Sequence, residues 1–320
     1  MLRLALMALV LSLVGAAYGQ AYPNRSIRVV VNFPAGGNVD NIARLITAQV
    51  EGQMGANFVI DNRSGANGII GIEIAAKAAA DGYTLLFSPS SIVVNQVTYA
   101  KVSYDVRRDF VPITNACAGQ GYLLVVNPVL PARSVKELIA LARNKATPIA
   151  YGTPGQGNPQ QFVGEFFNLR AGTHMVHVPY KGVAPQIVAL LGGEIVVVFS
   201  PPLAVSQYVA SGKLRALAFT GAARWNAMPE LPTVLESGMS DFVWRTGWQG
   251  WFAPARTPRE TIVRLNSVIR RALESPKVRE TLLAGGYDTI GDSPAEFARF
   301  IESELKRYAD IARLANIKFE

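Results

Sequence analysis

The chain is short of the residues that carry covalent and metal chemistry. Cys117 is the one cysteine in 320 residues, which excludes an intramolecular disulfide, a Cys-x-x-Cys redox pair and a thiolate zinc cluster. Its apolar neighbours point to a buried, inert thiol. His174 and His177 are the two histidines. They sit three positions apart in a segment patterned as a strand, where odd spacing sends side chains to opposite faces, so no metal site is expected. Gly-x-Ser-x-Gly and His-Glu-x-x-His are both missing, and the few remaining nucleophile and base combinations leave no catalytic residue to assign. An enzyme is not expected. Gly155-Gln156-Gly157 is followed by Gln160 where a dinucleotide fingerprint needs glycine, and no Lys-Ser/Thr pair follows as a P-loop requires. No cofactor is expected.

A run of one charge is missing too. The 31 basic and 23 acidic residues leave a net charge of +8. The basic ones are scattered, with isolated pairs such as Arg107-Arg108 and Arg270-Arg271 and no stripe interleaved with aromatics. Nucleic acid is therefore not expected as a partner, and small anions fit better. Long apolar runs are confined to the amino terminus. There Arg3 precedes the stretch Leu4 to Val14 and the small residues Gly15, Ala16 and Ala17, the pattern of a secretory signal peptide over residues 1–21. Cleavage after Gly19 or after Ala21 satisfies the small-residue rule. The run is too short to span ~30 Å of hydrocarbon. The expected product is an exported chain of about 300 residues, long enough for two lobes with their own cores.

What the chain does have is a repeated strand, glycine turn and helix start. Ile27 to Val31 is β-branched, Pro34-Ala35-Gly36-Gly37 is a turn, and Val39, Ile42, Ala43, Ile46 and Val50 recur at helical spacing up to Gly55. Glycines let the backbone turn tightly, and the first helical amides lack intrahelical partners, so such a turn can hold an anion. Asp40, in the first helical turn, has two roles open to it: ordering the loop or touching the ligand. Phe58-Val59-Ile60 is a second strand, followed by the turn-forming stretch Asp61 to Gly68. Ile69 to Ala80 reads as a helix ending at Asp81-Gly82, and Thr84 to Phe87 as a third strand running into Ser88-Pro89-Ser90-Ser91. In an open α/β sheet ligands gather where strand carboxyl ends meet, which makes Ser88 and Ser90 candidates.

About 120 residues later the architecture recurs. Tyr122 to Val126 is a strand, Ser134 with Glu137 opens a helix as a capping box, and Ile149-Ala150-Tyr151 is a strand. The turn Gly152-Thr153-Pro154-Gly155-Gln156-Gly157 follows, with Asn158 as N-cap and Pro159 as first helical residue. Two such units from different lobes, facing each other, offer amides to one carboxylate or to both ends of a dicarboxylate. Further strands end at Pro179 and Phe199, placing Tyr180, Lys181 and Ser200 beside Thr153 at a cleft rim. Trp244, Trp248 and Trp251 cluster near the end of this section, as core or as cleft wall. Thr257 to Glu260 reads as a capping box, and the helices starting at Thr257, Ser275 and Ser293 have no strand series of their own. They are expected to pack back on the first lobe.

These residues carry a family resemblance. Tyr22-Pro23-Asn24-Arg25-Ser26-Ile27-Arg28, Phe33-Pro34-Ala35-Gly36-Gly37 with Asp40, Asn62-Arg63-Ser64-Gly65-Ala66, Asp81-Gly82-Tyr83-Thr84, Val176-His177-Val178-Pro179-Tyr180-Lys181-Gly182 and Gly212-Lys213-Leu214-Arg215 resemble the Bug-type substrate-binding proteins of tripartite tricarboxylate transporters. The resemblance implies an α/β, two-lobed periplasmic binding protein, type II-like, each lobe a mixed, mostly parallel sheet flanked by helices. Residues 22–122 and 246–320 would form the first lobe and 123–245 the second. It further implies a periplasmic, non-enzymatic monomer that closes on a small carboxylate and hands it to transporter membrane subunits. Ala35, Gly36, Gly37 and Asp40 carry over to one half-site, and Thr153, Gly155, Gly157 and Asn158, with Gln156 between them, to the other. Two positions depart from the family pattern: Asn158 and Gln161 stand for serine and histidine, and Phe199-Ser200-Pro201 stands for Phe-Asp-Asn. The lost acid argues against an amino-acid ligand and for a non-amino mono- or dicarboxylate or an aromatic acid. A carboxylate sensor docking on a signalling partner is the alternative.

Overall fold

The β-branched runs and amphipathic stretches assemble into two sheets with helices packed on them, in a computed structural model that describes residues 22–180, 182–315 and 317. The leader expected at 1–21 lies outside the described residues. In chain order the elements are β1 (Ile27–Val31), α1 (Asn38–Met54), β2 (Phe58–Asn62), α2 (Ile69–Ala76), β3 (Thr84–Pro89), α3 (Ser91–Thr98), β4 (Phe110–Gly119), β5 (Leu123–Val126), α4 (Val135–Ala142), β6 (Ala150–Thr153), α5 (Pro159–Ala171), β7 (Val176–Pro179), α6 (Val183–Gly192), β8 (Val197–Ser200), α7 (Pro202–Ala210), β9 (Arg215–Phe219), β10 (Trp248–Pro254), α8 (Arg259–Glu274), α9 (Pro276–Ala284), β11 (Tyr287–Thr289) and α10 (Pro294–Leu314). A one-turn helix, Val106–Asp109, precedes β4. No helix among the described residues is long and apolar enough to cross a membrane.

Sheet one has the order β11-β4-β10-β3-β1-β2 and sheet two the order β7-β6-β8-β5-β9. β1 pairs in parallel with β2 and β3, setting Val29 opposite Ile60 and Leu85. β10 returns antiparallel between β3 and β4, and β11 is antiparallel to β4. In sheet two β6 is parallel to β7 and β8, while β5 is antiparallel to β8 and β9. Each sheet is therefore more evenly mixed than the mostly parallel one expected. The parallel half of each carries a glycine turn, and the antiparallel half holds the strands beside the crossings between sheets.

Several local expectations shift. β4 and β11 carry no alternation that the sequence reveals, because Pro112, Thr114 and Asn115 interrupt the apolar run of a strand that is largely buried on both faces. α2 stops at Ala76. Thr257 does not cap α8; its hydroxyl donates to the Pro254 carbonyl at 2.7 Å. At α4 the Ser134 oxygen accepts the Glu137 amide as expected, but the Glu137 carboxylate takes the Arg133 amide instead of that of Ser134. The full capping box forms at Ser293 and Glu296.

One face of sheet one packs on α1, α8 and α9 through Ile46, Val50, Leu265, Ile269 and Leu282. The other face belongs to a cluster that begins at Val30, Leu86 and Ile92 and continues through Phe297 and Tyr308 to Phe162, Tyr151 and Phe199 of sheet two. α10 makes that continuity. Its first half sets Phe297 against Trp248 at 5.3 Å between ring centroids, and its second half sets Tyr308 against Phe162 of α5 at 5.0 Å. The far face of sheet two closes on α6 and α7 with Ile187, Leu190 and Val205. Trp244, Trp248 and Trp251 are all buried. Tyr308→Ala is expected to lower stability by roughly 3–5 kcal/mol in urea unfolding, the cost of emptying a buried aromatic site; a loss under about 1 kcal/mol would show that α10 does not tie the sheets together.

Candidate ligand-binding site

β1 delivers the chain to the first turn, where Gly36 adopts φ +75°, a left-handed conformation that side chains disfavour. The Gly36 amide donates to Asp40 Oδ2 at 2.8 Å, and Arg44 Nε donates to the same oxygen at 2.9 Å. Asn62, at the end of β2, donates to Asp40 Oδ1 and to the Phe33 carbonyl, both at 3.0 Å. Asp40 is buried and orders the loop. Burial alone would raise its carboxyl pKa; the hydrogen bonds from Arg44, Gly36 and Asn62 and the Arg44 charge outweigh that and hold it below the ordinary range. The Gly37 amide reaches the Pro34 carbonyl at 3.3 Å. Ala35, Gly36 and Asn38 are exposed, and the amides of Asn38, Val39 and Asp40 have no acceptor among the described residues.

The second turn is built the same way with uncharged groups. Gln161 Oε1 accepts the Gly157 amide at 2.9 Å, four residues back, as Asp40 does for Gly36. Gly157 is left-handed, φ +70°. Asn158 is the N-cap, its Oδ1 accepting the Gln160 amide at 3.0 Å, with Pro159 opening α5. Thr153 is buried; its hydroxyl donates to the Gly155 carbonyl at 2.9 Å and lies 2.7 Å from His177 Nε2. With the hydroxyl proton spent on Gly155, His177 is assigned as the Nε2–H donor. Burial pushes the His177 pKa down to about 4, so the ring is neutral at pH 7. Beneath the turn, buried Gln186 donates to the Gly152 carbonyl and to Gln160 Oε1, both at 2.9 Å. Gln156 is exposed, and Gly155 and Tyr180 are half-buried, the Tyr180 amide donating to Thr153 O at 2.9 Å.

The structure thus gathers Ala35, Gly36, Gly37 and Asp40 in one group and Thr153, Gly155, Gln156, Gly157, Asn158 and Tyr180 in another. No hydrogen bond joins the two groups among the described residues. Ser88, Ser90 and Ser200 are fully buried. Ser88 and Ser200 hydroxyls turn to the neighbouring carbonyls of Pro89 and Pro201, at 3.1 and 3.4 Å, and the Ser90 amide donates to Trp248 O at 3.0 Å. Trp251 packs on Phe87 at 4.9 Å in the core, and Trp248 Nε1 donates to Glu304 at 3.0 Å. Both tryptophans are core residues, which removes the argument they lent to an aromatic ligand. Lys181 lies outside the described residues. Sequence reasoning missed Asn62, His177 and Gln186. His177 was read as a satisfied structural histidine, and it is one, but its partner is a candidate site residue, Thr153, that only the β6–β7 register reveals. No group of His, Cys, Asp and Glu side chains fit to hold a metal occurs among the described residues.

A family profile described as "Tripartite tricarboxylate transporter family receptor" matches residues 42–317. The chain belongs to the tripartite tricarboxylate transporter receptor family. Protein BugT of Bordetella pertussis is 36% identical over 301 residues, covering 93% of this chain and 92% of that one. Among solved structures, Rpa4515 of R. palustris, described with adipate, is 34% identical with a TM-score of 0.80, covering 93% of this chain and 99% of that one. MatC of Rhodopseudomonas palustris, described with bound malate, is 27% identical with a TM-score of 0.75, covering 91% and 99%. The two-lobed fold is shared, and the family is one of substrate-binding receptors, not enzymes.

Asp40→Asn is expected to cost about 1.5–3 kcal/mol at neutral pH, because a charged acceptor of three donors is lost; a cost below about 0.5 kcal/mol in urea unfolding would count against its loop-ordering role. His177 gives a second expectation. Its folded pKa, about 4, lies below the unfolded value, so the unfolded chain binds more protons between the two and stability falls as pH drops from about 6.5 to about 4. His177→Gln should flatten part of that slope; an unchanged slope refutes the assignment.

Proposed function

We propose that this receptor captures a small non-amino dicarboxylate between its lobes and passes it, unreacted, to transporter membrane subunits. The observation that carries the proposal is the pair of glycine turns at the carboxyl ends of parallel strands in two different sheets. Each is pinned by its own side chain, yet each retains unpaired amides: Asn38, Val39 and Asp40 in one, Gln156 and Asn158 in the other. Amides at a helix start attract a carboxylate, by ~0.3–1 kcal/mol from the helix dipole alone when exposed. Two such turns match the two ends of a dicarboxylate. The adipate and malate described with Rpa4515 and MatC support that class. Phe199-Ser200-Pro201 offers no carboxylate for an ammonium, and the tryptophans that would favour an aromatic acid are in the core.

Residues 22–122 with 246–320 act as one lobe and 123–245 as the other, hinged where the chain crosses between sheets. The family and the leader pattern support a periplasmic location, with the leader removed on export after Gly19 or Ala21, and the working form is a monomer. Ala35, Gly36, Gly37, Thr153, Gly155, Gln156, Asn158 and Tyr180 line the cleft, while Asp40 and Gly157 shape it. Ser88, Ser90 and Ser200 support its floor from within.

A thermal-shift panel of mono-, di-, tri- and aromatic carboxylates tests this. A dicarboxylate should give the largest rise, equivalent to about 2.7 kcal/mol at one hundred times its dissociation constant. Gly36→Val and Gly155→Val should abolish the shift without unfolding the chain. Shifts from sugars or nucleotides with none from any carboxylate would refute the proposal.

A further inference from the structure

Four arginines fall on one helix, and the fold leaves them without the carboxylate partners that most other arginines have. α8 buries Ile262, Leu265, Val268, Ile269 and Leu273 against sheet one, which leaves its opposite face outward. That face carries Arg259, Arg264, Arg270 and Arg271, all exposed. Elsewhere most arginines lie against a carboxylate, as Arg28 does with Asp61, Arg44 with Asp40 and Arg224 with Glu236. None of the four on α8 forms an ion pair among the described residues, although Glu260 and Glu274 stand on the same helix. Arg271 reaches an amide instead, donating from Nε to Gln53 Oε1 of α1 at 3.1 Å.

Between the end of α1 and α8 runs a groove of about 790 Å³ whose walls include Gln53, Arg259, Glu260, Val263, Arg264 and Arg271, three cations to one carboxylate. Val263 is 56% exposed. Three guanidinium groups share the groove with one carboxylate, Glu260, and none is ion-paired to it among the described residues, so an incoming carboxylate has no existing pair to break. A concave channel with cationic walls and an apolar spot fits a protruding acidic chain segment. A bilayer is planar and would meet only the rim. The 17-residue α1 holds this groove about 25 Å from the first glycine turn, at 1.5 Å rise per residue, so a partner seated here leaves the ligand cleft open.

We infer that the groove between α1 and α8 is a docking surface for an acidic segment of the transporter's membrane subunits. Guanidinium groups pair with carboxylates of that segment, and Val263 meets an apolar side chain. Naming the membrane subunits as the partner rests on the function proposed above. The test is the full mature chain carrying Arg259→Glu, Arg264→Glu and Arg271→Glu together. A charge-matched control carries Arg133→Glu, Lys136→Glu and Arg299→Glu, exposed cations away from the groove. The probes are nanodiscs containing the membrane subunits and nanodiscs of phosphatidylglycerol alone.

The wild-type and control chains should bind the subunit-containing discs, more weakly as salt rises. The groove variant should bind them about ten-fold more weakly or worse, as expected from reversing three exposed charges. The carboxylate-induced melting shift should be equal in all three proteins. The inference is overturned if the groove variant binds like wild type or the control loses as much. It is also overturned if wild type ignores the subunit-containing discs, or binds lipid-only discs as tightly, which would make the face a membrane surface. A chain that binds the discs through the groove but shows no shift with any carboxylate would overturn the ligand proposal and leave the docking surface standing.

Discussion

Amides at the start of a helix have no partner inside it, and both halves of the proposed ligand site are ways of disposing of them. In each turn one glycine amide is claimed by a side chain four residues on, Asp40 for Gly36 and Gln161 for Gly157. That single reach-back fixes a left-handed glycine and aligns the helix behind it. Beyond it the amides of Asn38, Val39 and Asp40 in one turn, and of Asn158 in the other, stay unclaimed among the described residues. The two clamps differ in charge. Asp40 brings a negative charge to its turn and needs Arg44 and Asn62 beside it, whereas Gln161 brings none. The second turn is therefore the less screened of the two for an anion, and a ligand with unequal ends has a reason to enter in one orientation.

Much of this was legible in the sequence. The β-branched run before Gly36, the Asn158-Pro159 helix start and the Ser293 to Glu296 box each rest on local chemistry that holds wherever it occurs. What was not legible depends on partners far along the chain. β4 is interrupted by Pro112, Thr114 and Asn115 and is sheltered by β10 and β11, so its sequence shows no period of two. His177 meets Thr153 only because β6 and β7 pair with Tyr151 opposite His177. The serines at the strand ends read as cleft candidates because polar loops usually are, yet all three are buried, with the Ser88 and Ser200 hydroxyls turned to their neighbouring carbonyls and the Ser90 amide bonded to the Trp248 carbonyl.

The arginines teach the same lesson for charge. Along the chain, the basic residues of α8 look like ordinary solubilising positions. Which cations are already neutralised is a tertiary property, and only the folded arrangement separates the paired arginines near β1 and β2 from the unpaired ones on α8. The proposed ligand turn and the proposed docking groove lie at opposite ends of α1, so one helix would orient both without making one obstruct the other.

The apolar cluster that α10 threads through both sheets has a consequence for how the molecule comes apart. Val30, Phe297, Tyr308, Phe162 and Phe199 belong to one contiguous body of side chains, so neither sheet owns a complete interior. A fragment spanning only sheet two would be left with Phe162 and Trp244 facing water where α10 had been, a surface prone to self-association. The two lobes should accordingly melt together, in one cooperative transition.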